Sequence, residues 1–369
     1  MTRNAGPPAW ALGLIGLAIA ALFSLRTLIP AGMDPSVFLG LGEQKPIQTR
    51  YAERRLGDVH ARPAAGHDGK FFFAQANDPW YLEPDVHAAV LDRPLYRAGR
   101  MLYPMIAGGF GFLPPEAVVW SLLTTNMLAL GLGAFLAAKL SRRMRLSTWL
   151  GLAVPLNIGL LYEMTIDGAG IVAYVACLGA LVALQDDHRW LASILFAGAA
   201  LGREVMLAFA LGVFLVVWLE ERRRLWRLVV TPVATLSVWY LYLWLRVMDV
   251  AGTGGGPENF GLPFQGFIQA FRRWLEEPDD LVLNVAILLV TLFFTILALR
   301  SRLAIAWGAL PFVALAIFFS VNVSAEPFDL SRALAPVFTA AAFVLVFSRH
   351  ADGEVPASVS EVRASEEVS

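Results

Sequence analysis

The chain has 369 residues, 57% of them hydrophobic and 16% charged, with a formal net charge of −1 and a mean hydropathy of +0.60. That balance excludes a water-soluble globular domain and predicts an all-α polytopic membrane protein. Near-neutral charge offers nucleic acid no basic surface, a single cysteine (Cys177) excludes an internal disulfide and a cysteine-based metal cluster, and the five scattered histidines lack the spacing of zinc or redox ligands.

Residues 9–30 form the first apolar run, read as a membrane helix because it is long and no small-residue cleavage pattern precedes Pro30. A long first extracytoplasmic loop, 31–115, follows; within it the short segment 101–113 reads as a re-entrant or interfacial helix. Further apolar runs lie at 116–138, 147–163, 168–185, 190–202, 204–219, 226–248, 280–299, 303–320 and 332–348, giving about ten membrane helices. As one helix, residues 190–219 would be about 45 Å long against a hydrocarbon core of about 30 Å. Breaking that run at "GRE" (202–204) puts the basic clusters "KLSRRMR", "EERRRLWR", "RSR" and "SRH" on one side, and both termini in the cytoplasm. Residues 1–350 then form one transmembrane domain, and the polar, acidic tail 351–369 reads as disordered.

The opposite face collects the acids. In "GHDGKFFFAQANDPW" (66–80), Asp68 fits two roles. It can cap a short helix, or it can be a fixed carboxylate serving as general base or metal contact, with the three phenylalanines planting the helix at the membrane surface. Arg93, Arg97 and Arg100 are spaced to share one helical face, with Tyr96 and Tyr103 on another, and suit a lipid phosphate or ordinary phospholipid head groups. Arg203 and Glu204 interrupt an apolar run, where each charge left in lipid costs about 2.5–3.5 kcal/mol. A structural ion pair and a substrate contact explain them equally; the same holds for Glu163 with Asp167, and for Glu326, Asp329 and Arg332. "GTGGGPENFG" (252–261) lacks the Lys-Ser/Thr of a phosphate-binding loop and reads as a flexible gating loop.

Two elements, "HDGKFFFAQANDP" and "DRPLYRAGRMLYP", resemble the first extracytoplasmic loop of GT-C glycosyltransferases, the polyprenyl-phosphate-sugar-dependent, mannosyltransferase-like bacterial group. "LGREVMLAF" resembles the charged break that such proteins place between two short helices, and "SAEPFDLSRALAP" their polar loop ending in Arg, so the resemblance covers roughly 9–348. It implies an inner-membrane enzyme that moves a sugar from a polyprenyl-phosphate donor to a glycan, lipid or protein acceptor. Asp68 would be catalytic and Asp78 a second acid or metal contact. The implied substrate-binding set is His67, which replaces the usual tyrosine, with Lys70, Arg93, Arg97, Arg100, Arg203, Glu204, Glu326 and Arg332. A divalent ion, Mg or Mn, is the only cofactor the family suggests, and the loop holds no compact Asp-x-Asp or Asp-Glu pair to bind it. The rival from another class is a multi-pass transporter or flippase of a lipid-linked envelope precursor, which needs polar residues along a path through the midplane.

Overall fold

The computed structural model describes residues 6–63, 66–221, 225–247 and 259–353; most of the glycine-rich 252–261 stretch and the tail 354–369 lie outside them. Among the described residues the chain is helical apart from short turns and two parallel two-residue strands, β1 (Leu41–Gly42) and β2 (Ala61–Arg62).

The chain enters a helical bundle as α1 (Ala9–Leu28), then leaves it for an insert of short helices: α2 (Pro46–Leu56), α3 (Gly69–Asn77), α4 (Pro84–Val90), α5 (Pro94–Ala98) and α6 (Leu102–Ala107). Proline opens α2, α4 and α5, where its missing N–H would have had no helical partner. The bundle resumes with α7 (Pro115–Arg143), α8 (Ile158–Thr165), α9 (Gly170–Gln185), α10 (Arg189–Gly202), α11 (Met206–Glu221) and α12 (Arg227–Val247). It closes with α13 (Gln265–Glu276), α14 (Pro278–Ser301), α15 (Ala304–Ala316), α16 (Val321–Ser324), α17 (Pro327–Ala333) and α18 (Ala335–Gly353).

Helices α1, α7, α12 and α14 are long and apolar enough to cross a membrane; α17 and α18, bent by 67° at their junction, make a fifth if they form one span. Helices α9, α10, α11 and α15 are apolar but shorter, so the crossings expected from the sequence require these as well. Small residues let α1 and α7 touch closely: a Cβ on Gly16 would sit 2.8 Å from the Ala134 methyl.

Contacts sort the helix termini to two ends. At one, Lys139 and Arg143 pair with Asp186, Arg302 pairs with Glu220, and Thr148 donates to the Pro7 carbonyl. At the other, α3 and α5 meet the α10–α11 break and α17.

Two local expectations change and one holds. Residues 147–163 are not one helix: a 3₁₀ turn (Thr148–Ala153) gives way near Pro155, and Asn157 starts α8 by accepting the N–H groups of Gly159 (3.0 Å) and Leu160 (3.4 Å). The 190–219 run does break, with Arg203 leaving the helix at φ −159°, ψ 118°. The phenylalanines of α3 do not lie at a membrane surface; Phe71, Phe72 and Phe73 are 5%, 1% and 0% exposed. Successive helical residues point about 100° apart, so three in a row cover most of the circumference, and a helix that is apolar all round is buried. Phe72 packs edge-on against Tyr103 and Phe73 against Tyr51. Gly69 permits the approach, since a Cβ there would come within 2.7 Å of the Phe38 carbonyl oxygen and 2.8 Å of that of Ile166. This close seating fixes the position of Asp68.

Candidate functional site

Helix α5 is only five residues long, so Arg93 and Arg100 fall outside it and no continuous helical face carries the three arginines. Their guanidiniums instead converge on the ring of Tyr96, at 4.3 Å (Arg93), 5.7 Å (Arg97) and 4.5 Å (Arg100) from its centroid. The negative face of an aromatic ring offsets part of the repulsion among such cations. The Tyr96 hydroxyl accepts hydrogen bonds from Arg100 Nη2 and from Asn259 Nδ2, the latter at 2.8 Å. Tyr103 is elsewhere, fully buried and donating to the Leu122 carbonyl at 2.9 Å.

Asp68 occupies the position before α3, yet its side chain caps no backbone N–H. Its Oδ1 accepts from Arg97 Nη1 at 2.8 Å, and its Oδ2 faces Arg332 Nη1 at 3.4 Å. The helix-cap role is thereby removed. Arg97 lies over Phe71, 4.3 Å from the ring centroid, and is braced from behind by Asp92 through Nε (2.8 Å) and Nη2 (3.1 Å). Arg332 also approaches Asp329 (3.5 Å) and Glu163 (3.7 Å), and Glu163 in turn receives Arg203 Nη1 at 3.1 Å.

Arg203 and Glu204 do not pair with each other. Extended backbone at Arg203 sends the two side chains to opposite sides, and Glu204 takes Arg100 Nε and Nη2, both at 3.2 Å. Alternating charges thus satisfy one another, which burial requires. Arg93 is the exception: it makes no ion pair among the described residues, and its Nε is buried without a hydrogen-bond partner.

These side chains form one wall of a cavity of about 110 Å³, in which five arginines stand with Asp68, Glu204 and Asp329. The other wall is apolar, built from Val205, Phe260, Phe312, Leu315 and Phe319. Burial pushes the Asp68 carboxyl up, but the Arg97, Arg332 and Arg100 guanidiniums outweigh it and hold that carboxyl well below the usual carboxylate range. Such a chamber can receive a group that is anionic at one end and hydrocarbon at the other.

Two other residues of the expected set lie close by without lining the cavity. His67 stands edge-on to Tyr162, and burial lowers its pKa; Lys70 sits in the first turn of α3 beside the Phe71 ring, and burial brings its ammonium down to about 8. Asp78 does not join Asp68. It lies across α3, about 15 Å away at the helical rise. There its carboxylate accepts the N–H groups of Leu82 and Glu83, each at 2.9 Å, and meets His87 Nε2 at 3.1 Å. Burial pushes this carboxyl up, but the His87 and backbone hydrogen bonds prevail and bring it to about 2. Its oxygens close a turn and do not line the cavity. Glu326 also points away, half-exposed and paired with Arg273.

Among the described residues no group of three or more His, Cys, Asp or Glu side chains could hold a metal ion. With Asp68 held by guanidiniums and Asp78 by backbone amides, the residues do not fit the Mg or Mn ion suggested by the family resemblance.

Asn259 and Tyr96 line the cavity but were not in the set expected from the sequence, which noted Tyr96 only for its spacing from Tyr103. Nothing in the spacing around Asn259 points to Tyr96, and the tyrosine's role as a platform depends on a turn too short to show helical periodicity. Asp92 carried a signal, since an acid five residues before Arg97 can reach back over a proline-started turn. No family model, curated protein or solved structure matches the chain.

Proposed function

We propose that the chain is a GT-C-like integral membrane glycosyltransferase that moves a hexosyl or pentosyl group, with inversion, from a polyprenyl-phosphate donor to a glycan, lipid or protein acceptor. The observation that carries this reading is a fixed carboxylate, Asp68, at the edge of a chamber whose walls are arginine on one side and hydrocarbon on the other. Phosphate oxygens match guanidinium forks, and the first isoprene unit matches the wall of Phe312, Leu315 and Phe319.

The reaction needs few parts. Asp68 accepts the proton of the acceptor hydroxyl, and that oxygen forms a bond to the sugar's anomeric carbon from the face opposite the phosphate. The anomeric C–O bond breaks, and its electron pair leaves with the polyprenyl phosphate, whose added negative charge the guanidiniums neutralise. A phosphate leaving group requires no general acid. In this reading the Lys139–Arg143 end is cytoplasmic by the positive-inside trend. About ten crossings then place both termini in the cytoplasm and the chamber on the outer face of the inner membrane.

The test is sugar transfer by purified protein in liposomes, comparing wild type with Asp68→Asn across a panel of polyprenyl-phosphate sugars, with thermal melting to confirm that both fold. Turnover of one donor, lost by about 10²–10⁴-fold in the variant, is the expected result. Full turnover by Asp68→Asn removes the carboxylate from the mechanism. Donor binding without turnover in any acceptor mixture favours a transporter or flippase.

A further inference from the structure

The two guanidiniums that hold Asp68, those of Arg97 and Arg332, also line the cavity, and they are the same cations that a phosphate seated there would seek. One cation in the same wall, Arg93, is not committed to any carboxylate, and its Nε lacks a partner. It lies 4.3 Å from the Tyr96 ring centroid, within one side-chain length of Arg97 on the same platform. We infer that phosphate binding is what frees the base: an anionic phosphate enters against Arg93, draws Arg97 and Arg332 away from Asp68, and leaves the carboxylate able to take the acceptor proton.

This inference rests on the transferase reading and adds an order of events to it. Without donor, Asp68 is locked between two cations and is a poor proton acceptor. With donor, the phosphate takes over that charge. Release of Arg97 is incomplete by construction, because Asp92 keeps two hydrogen bonds to it, so the guanidinium pivots and is not lost from the site. Arg332 is held similarly by Asp329 and Glu163. The lock prevents Asp68 from activating an acceptor, or water, before a donor is in place.

If carboxylate and phosphate compete for the same two guanidiniums, binding of one weakens binding of the other by an equal factor. Removing the Asp68 charge must therefore tighten phosphate binding even though it abolishes transfer. The experiment measures binding of a long-chain polyprenyl monophosphate, carrying no sugar, to full-length protein in nanodiscs, for wild type, Asp68→Asn and Glu204→Gln. Asp68→Ser is a second neutral replacement should Asp68→Asn not give folded protein. Glu204 lines the same cavity but pairs with Arg100, so it reports the effect of removing a nearby negative charge without opening the Asp68 clamp.

The expected result is affinity tighter by about fivefold or more in Asp68→Asn, beyond any gain in Glu204→Gln. Unchanged or weaker binding, or an equal gain in both variants, overturns the hand-over while leaving the transferase reading in place. No binding of the lipid phosphate by wild type overturns both. Inorganic phosphate serves as the second probe: tightening with the lipid alone shows that the apolar wall contributes, and tightening with both shows that the anion suffices.

Discussion

Arg332 in α17 and Asp68 before α3 stand 264 residues apart in the sequence and 3.4 Å apart in space. That contact joins the insert to the last helices of the bundle. Of the three acids Arg332 approaches, Asp68 retains Arg97 and Glu163 retains Arg203 when it is removed, while Asp329 is partly exposed and lies within reach of a glutamine amide in its place. Arg332→Gln should therefore fold while losing about 10²–10³ in transfer rate, the ordinary cost of removing one group that stabilises developing charge. Steady-state transfer with a saturating donor, alongside thermal melting, checks it; a collapsed melting transition would show a structural role instead.

Tyr96 separates two contributions. Its ring serves three guanidiniums, and its hydroxyl serves Arg100 and Asn259. Cation–π contacts are worth about 0.5–2 kcal/mol each, so Tyr96→Ala should weaken binding of a polyprenyl monophosphate by about tenfold or more. Tyr96→Phe keeps the platform and should retain most of that affinity. Equal losses in the two variants would assign the effect to the hydroxyl.

Gly69 tests whether Asp68 is placed by backbone contact. A methyl group there would sit 2.7 and 2.8 Å from two carbonyl oxygens, which cannot yield as a flexible side chain can. Gly69→Ala should cost about 1–3 kcal/mol of stability and reduce transfer with it. Gly198 in α10 is the control, its added Cβ meeting only Leu102 Cδ2 at 3.7 Å. There alanine should be neutral or gain up to about 1 kcal/mol, as glycine-to-alanine does inside a helix. Melting temperatures of the two variants settle the comparison.

Asp78 gives the pH dependence. Its carboxyl is at about 2 in the folded protein and near the ordinary aspartate value when unfolded, so the folded state favours the ionised form. The resulting stability is fully present above the unfolded value of about 3.9 and is lost as pH falls through about 2. Asp78→Asn should lower the melting temperature at neutral pH and flatten its decline between these values. Transfer by the folded fraction should persist, because Asp78 faces a turn and not the cavity.

Composition and apolar run length determined that the chain is helical and carries several helices long and apolar enough to cross a membrane, because about 20 consecutive apolar residues span a hydrocarbon core as a helix. The arithmetic of a 30-residue run likewise forced the break at Arg203, and local spacing showed Asp68, the arginines of 93–100 and Arg332 to be unusual. Sequence could not decide which of these meet. Charges inside an apolar fold must be paired, but several acids and arginines were available, and only the crossing of α3, α5, α10 and α17 selects Arg97 and Arg332 for Asp68 and Arg100 for Glu204. The same tertiary choice buried the three phenylalanines of α3, gave Asp78 to a turn, sent Glu326 to Arg273 and brought Asn259 to Tyr96. Periodicity reports which face of an element is apolar. It carries no information about which element that face, or the charge beside it, will find.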